Sequence, residues 1–453
     1  MLTLLVIVGL AAALAVALAG CTFYNRKFET TVPPTADYEL HVIQVDDFGS
    51  FWSVPDAQQT LNRIAELAKS QNTYVFLFIH GWHHNAAASD ENFTDFQTKL
   101  KDISARLHRP AFTGIRIDLS GTASFRVVGV YVGWRGRSLP GWLNYGTMWW
   151  RKAAAERVGD GDVREFILQL QRLYLRTNSI RNRGPSPPKQ HFMGLVTVGH
   201  SFGGQVLLTA VAEGLEVELA ERARTLSDAI HGDTRVPSTQ TLEHVPIDGF
   251  GDVNILVNPA TEAYQYARID DLVKKLRYPP CQLPQLVVFS ADIDRPRQFF
   301  FPIARGLTRA FRPGFQKHSI QGALWGTALG EWPLQQTHDL KKAAAQASSL
   351  TDADYQTALG RAKIQAWDFS GSTVFNEVAL IPLRSQAEQI ANNPVAVVST
   401  HDHLIQGHNG IFGPEFWGFV VDYVTFLEGK RMLWRQEWLA SGSPSARAWS
   451  TEL

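Results

Sequence analysis

Ser201 stands in Gly199-His200-Ser201-Phe202-Gly203, a G-x-S-x-G pattern. A serine hydroxyl becomes a useful nucleophile when a neighbouring base removes its proton, and a tight glycine-flanked turn is one way to lift it clear of a sheet. The pattern alone recurs by chance in chains of this glycine content, so its surroundings must carry the weight. An apolar run, "GLVTVGH" (194–200), leads in and reads as a buried strand, while "GGQVLLTAVAEGL" leads out as a helix. Gly199 and Gly203 free the backbone on either side, and the serine sits near the positive end of the helix. The competing reading, a small residue in a structural bend, requires no chemical partners elsewhere.

An attacked carbonyl becomes an oxyanion, which needs N–H donors aimed at it. Phe202, the residue after the serine, offers one amide. The second should come from the loop after an earlier strand. "FIHGWHHNA" supplies it: His80-Gly81 follows the buried run "YVFLFI" (74–79), and Trp82 is the expected donor. His80, His83 and His84 also invite a metal-site reading. They lack the helical spacing or carboxylate companion of a motif such as H-E-x-x-H, so a loop-shaping role is preferred. No metal or other cofactor is expected.

The elements that must position these groups alternate along the chain. After "YVFLFI" come the helical "DFQTKLKDISARL", the run "FRVVGVYVGW" (125–134) and an amphipathic helix over 161–176. The nucleophile's strand and helix follow. Then come the run in "GFGDVNILVNPA", the helix "TEAYQYARIDDLVKKL", and the runs "PQLVVFSA" (284–291) and "PVAVVST" (394–400), the last leading into "PEFWGFVVDYVTFLEG". Strands alternating with helices imply a mostly parallel α/β sheet covered on both faces. Residues 22–70 read as a tether with outlying elements, including an alternating run that could form a strand and a helical "DAQQTLNRIAELAKSQ". The main domain is expected over 71–430, with an insertion or cap at about 303–392 and a C-terminal tail over 431–453.

A strand ending in His-Gly, then G-H-S-F-G-G, then a late acid and a final histidine, resembles the α/β-hydrolase superfamily over about 74–429. The phrasing is similar to that of bacterial membrane-associated esterases of the lipoprotein type. The resemblance implies a Ser-His-Asp triad and an acyl-enzyme, but no particular metabolite. It also implies an acid past the strand at 284–291, where Asp294 is preferred over Asp292. Asp252 precedes its strand and so falls at the wrong end of the sheet. The base should follow the last strand, where "STHDHLIQGHNG" offers His401, His403 and His408. In similar hydrolases the base occupies a loop like the glycine-flanked one around His408, which is therefore preferred; His401 lies close to the strand.

The N-terminal stretch "MLTLLVIVGLAAALAVALAGC" is apolar throughout and ends in Leu18-Ala19-Gly20-Cys21. That ending resembles the bacterial lipobox, which implies lipidation at Cys21, although a leader normally opens with a basic residue and here the first is Arg26. An uncleaved membrane helix and a cleaved signal peptide are the alternatives. All three place the domain in the cell envelope beside a membrane and outside the cytoplasm. With Cys21 so used, Cys281 has no intramolecular partner, and disulfides do not hold the fold.

Apolar residues form 45% of the 453-residue chain, enough for a sizeable core. Lys+Arg and Asp+Glu balance at 43 each, which argues against a general attraction to nucleic acid. "GWRGRSLPGWLNYGTMWWRKAAAERVG" and "RQFFFPIARGLTRAF" follow carboxyl ends of strands, the edge where α/β proteins bind ligands. Their aromatic residues suit a lipid or fatty-acyl ester, or equally pack an insertion onto the core. The expected function is a membrane-tethered serine hydrolase of carboxylic esters. The rivals are an acyltransferase with the same triad, an inactive scaffold binding a lipid or partner, and a metal-dependent hydrolase built on the "HGWHH" histidines. No pattern in the chain signals an oligomeric state.

Overall fold

The computed structural model describes residues 24–440 except 111–112, 114–119, 140, 142–143, 145–146, 179–190, 232–245, 248, 280–281, 293–319, 344–372, 376 and 384–391, with backbone only over 373–375 and 428–440. Cys21, Cys281 and Asp294 lie outside the described residues.

The strands are β1 (Tyr38–Gln44), β2 (Asn72–Ile79), β3 (Phe125–Gly133), β4 (Met193–His200), β5 (Val253–Val257), β6 (Leu286–Ala291), β7 (His338–Lys342), β8 (Thr373–Phe375), β9 (Val378–Pro382) and β10 (Val395–Thr400). They form one sheet in the order β1-β3-β2-β4-β5-β6-β10-β7-β9-β8. Every pairing from β1 to β7 is parallel, and β9 and β8 close that edge antiparallel. The helices are α1 (Val54–Ser70), α2 (Glu91–Leu107), α3 (Met148–Asp160), α4 (Asp162–Asn178), α5 (Phe202–Ile230), α6 (Ala263–Val273), α7 (Ile320–Gly326) and α8 (Pro414–Ala440). This is an α/β architecture with a mostly parallel sheet. Among the described residues no helix is long and apolar enough to cross a membrane.

The strand period of two explains why the central runs are apolar at every position. Along β2, Tyr74, Phe76 and Phe78 enter a core shared with α2 and α8, while Val75, Leu77 and Ile79 enter one shared with α1, α3, α4 and α5. Phe78 is fully buried and packs against Phe96 with ring centroids 5.2 Å apart. Truncating it to alanine would cost about 3–5 kcal/mol.

Two segments differ from expectation. The N-terminal elements are not outlying, because β1 pairs with β3 along its whole length. Glu39 on β1 makes that edge specific: it accepts two hydrogen bonds from Arg63 of α1, at 2.9 and 2.7 Å, and one from Arg126 of β3 at 3.3 Å. Those cations, Arg63 foremost, hold its carboxyl below the usual range against the opposing effect of burial. The segment expected as an insertion or cap contributes α7 and three sheet strands. "HDLKK" is short and half polar, while "VALIP" is apolar but only five residues long and ends in proline, so neither stands out as the central strands do; both lie near the β8 edge of the sheet.

Candidate active site

Strand β4 delivers Ser201 into a left-handed turn, with φ 55° and ψ −121°, immediately before α5. A non-glycine residue held there costs roughly 1–3 kcal/mol, so its surroundings must over-determine it. They do. Ser201 N–H donates to the Val257 carbonyl at 3.0 Å, and the Ser201 carbonyl accepts from Gly204 and Ala260, each at 3.0 Å. The flanking glycines are required by close approach: a Cβ at Gly199 would lie 2.5 Å from the Gly203 carbonyl oxygen, and one at Gly203 would strike the Ile79 carbonyl. The serine itself is 3% exposed.

His408 reaches this turn from the loop between β10 and α8. Its Nε2 lies 2.7 Å from Ser201 Oγ, the geometry for a hydroxyl donating to an imidazole base. Two residues fix the histidine's backbone. His200 Nε2 donates to the His408 carbonyl at 2.9 Å, and Asn258 Nδ2 donates to the same carbonyl at 3.1 Å and to that of Gly407 at 3.3 Å. Asn258 also accepts from the Ala291 amide at 2.8 Å, joining the end of β6 to the histidine loop. Burial, and then the neighbouring His408, hold His200 well below the usual imidazole range, so it stays neutral and keeps that donor.

The loop after β2 lies against Ser201. A Cβ at Gly81 would sit 2.8 Å from Ser201 Cβ, so only glycine lets the backbone come this near. Trp82 follows, its ring 6.0 Å from that of Phe202. Phe202 is the first residue of α5, where an N–H has no intrahelical acceptor. The three histidines of this loop turn to separate partners. His80 accepts from the Trp134 amide at 3.1 Å through Nε2, which leaves Nδ1 to donate to the Gly81 carbonyl at 2.9 Å. Burial pushes its pKa down to about 4. His83 accepts from Asn144 Nδ2 at 2.7 Å, and burial lowers it likewise to about 4. His84 Nδ1 lies 3.0 Å from the carboxylate of Asp90, the N-cap of α2. Among the described residues no group of three His, Cys, Asp or Glu is placed to hold a metal.

Asp292 lies 3.0 Å from His401 Nδ1, and the other nitrogen of that ring lies 3.0 Å from Asp339. His401 is thus held between two carboxylates at the end of β10. Asp252, at the opposite end of the sheet, accepts from the Leu195 amide and the Tyr174 hydroxyl, each at 2.7 Å. Among the described residues, His403 joins no interaction that bears on the serine.

Sequence reasoning missed Asn258 and the clamping role of His200. An Asn-Pro pair directly after a strand, with Asn258 at φ 46°, marks a special turn, and that was the available signal. The chain matches no protein-family model, no curated protein and no solved structure.

Proposed function

We propose that the protein is a serine hydrolase of carboxylic esters, of the α/β-hydrolase kind, held at a membrane by its N-terminal segment. The observation that carries this reading is the 2.7 Å contact of His408 Nε2 with the hydroxyl of a serine at φ 55°. A strained serine paired to an imidazole is costly unless it works. The order in which β4, β6 and β10 deliver serine, acid loop and histidine supports the same reading.

In the proposed reaction His408 Nε2 takes the Ser201 proton as Oγ attacks the acyl carbon. The carbonyl electrons move onto the oxygen, which the amides of Trp82 and Phe202 receive. Collapse expels the alcohol, which leaves with the proton from His408. Water then gives a proton to the same nitrogen as it attacks the acyl carbon, and collapse releases the acid while His408 returns that proton to Ser201 Oγ. Asp294 is assigned to orient the imidazole and offset its charge. Lipid or fatty-acyl esters are the favoured substrates, given the aromatic segment after β3; the second such segment, 297–311, lies outside the described residues.

The test is hydrolysis of p-nitrophenyl esters of graded chain length by the full chain in detergent. Turnover that Ser201→Ala abolishes supports the proposal. Turnover that survives Ser201→Ala and is lost to chelators would replace it with a metal-dependent mechanism.

A further inference from the structure

We propose that the carboxyl edge of the sheet around Phe48, Trp52 and Trp150 rests on the bilayer that the N-terminal segment enters, so that the Ser201 site opens onto the lipid surface. This rests on the hydrolase and anchor readings above.

The first described residues bind that edge. Phe28 N–H donates to the side chain of Gln44, at the end of β1, and the Phe28 carbonyl accepts from it, both at 2.8 Å. Thr30 Oγ1 donates to the Ala86 carbonyl in the loop after β2 at 2.5 Å. Arg137, in the loop after β3, lies over the Tyr24 ring at 5.4 Å. A short path leads from there to the nucleophile. The neighbouring Gly136 packs so closely on Gly81 that a Cβ would lie 2.5 Å from its carbonyl oxygen, and Gly81 in turn abuts Ser201.

Chain length then sets the distance to the membrane. Cys21 is three residues before Tyr24, so their Cα atoms are at most about 11 Å apart even when extended. A lipid on Cys21, or an apolar helix ending there, therefore holds this edge close to the headgroups.

The surface is composed for that contact. Phe48 is 78% exposed, Trp150 63%, Trp149 46% and Trp52 40%. Phe48 and Trp52 follow β1, and the other two occupy the first turn of α3 after β3. Exposed Leu168, Val217 and Ile230, by contrast, are aliphatic and lie on α4 and α5. Trp and Phe partition into the interfacial region of bilayers, and cations beside them meet anionic headgroups. Exposed Arg157 lies over the Phe48 ring at 5.7 Å, and Arg26 lies over Phe28 at 5.3 Å. Asp47 keeps this surface rigid, joining the β1 loop to α3 through Arg151 at 2.6 and 2.8 Å and also pairing with Arg135. A substrate ester within the bilayer would then reach Ser201 without crossing water.

The full chain in nanodiscs of phosphatidylcholine and phosphatidylglycerol, doped with a phospholipid carrying a diazirine in its acyl chain, tests this. Cross-links mapped by mass spectrometry should fall on Phe48, Trp52 or Trp150 and spare Val217. The Phe48→Ser/Trp52→Ser variant should lose about tenfold in turnover of an ester embedded in the disc, with turnover of a soluble short-chain ester unchanged. Cross-links confined to residues 1–21, or none, would overturn the proposal, as would equal loss on both esters. A fluorophosphonate adduct on Ser201 in the same sample reports separately on the hydrolase reading.

Discussion

Two loops of this molecule follow carboxyl ends of parallel strands, and each carries three histidines. After β2, His80, His83 and His84 are committed to Trp134 and Gly81, to Asn144, and to Asp90. After β10, His401 is committed to Asp292 and Asp339, while His408 meets the serine. Residue type does not separate the groups. What separates them is what each ring nitrogen already binds and what fixes the backbone behind it. The first loop commits its histidines to neighbouring groups, with His80 bonded to the Gly81 carbonyl, and the second holds one ring in place through its own main chain.

The sharpest way to break this contrast is to remove a member of the reacting pair. Ser201→Ala and His408→Ala should each lower kcat/KM for a p-nitrophenyl ester by about 10⁴-fold or more, whereas His84→Gln should change it by less than about threefold. Gly81→Ala comes next. Its Cβ would meet Ser201 Cβ at 2.8 Å, so a loss of roughly 10²-fold in kcat is expected, with the melting curve showing whether the fold persists.

Acid sharpens the structural half of the comparison. His80 is neutral at pH 7 in both folded and unfolded chain. Below pH 6.5 the unfolded chain takes up a proton that the folded chain refuses until about pH 4, so stability falls as pH drops through that window. Between pH 7 and pH 4.5 this one ring should cost about 2.5 kcal/mol, read from urea midpoints, and His80→Gln should remove that part of the slope.

Smaller effects address the supports. Asn258→Asp keeps an acceptor for the Ala291 amide but loses the donor to the His408 carbonyl, and should lower kcat about tenfold with little change in KM. Asp90→Ala removes the N-cap of α2 and the partner of His84 together. It should cost about 1 kcal/mol in thermal unfolding while kcat is retained.

The central strands were legible because a strand buried on both faces is nearly continuously apolar, as "YVFLFI" is throughout and "GLVTVGH" is apart from Thr197 and His200. The pairing of Ser201 with His408 was expected from the family resemblance rather than from periodicity, and the two side chains do meet, at 2.7 Å. The strands β7 to β9 were not legible, since "HDLKK" mixes Lys and His with one Leu, and "TVF" and "VALIP" are too short to stand out as strands. Helix α3 was read only as an aromatic stretch, because its adjacent Trp149 and Trp150 obscure the helical period. Asn258 was missed because its role is fixed by contacts almost 150 residues apart in the chain, which no local pattern records.

The central claim is that His408 activates Ser201, and the most direct measurement of it is covalent. The full chain, treated with a fluorophosphonate probe and mapped by mass spectrometry, should carry the adduct on Ser201. His408→Ala should slow labelling by orders of magnitude, while His401→Ala should not. An adduct elsewhere, or labelling of Ser201 at the same rate without His408, would contradict the account.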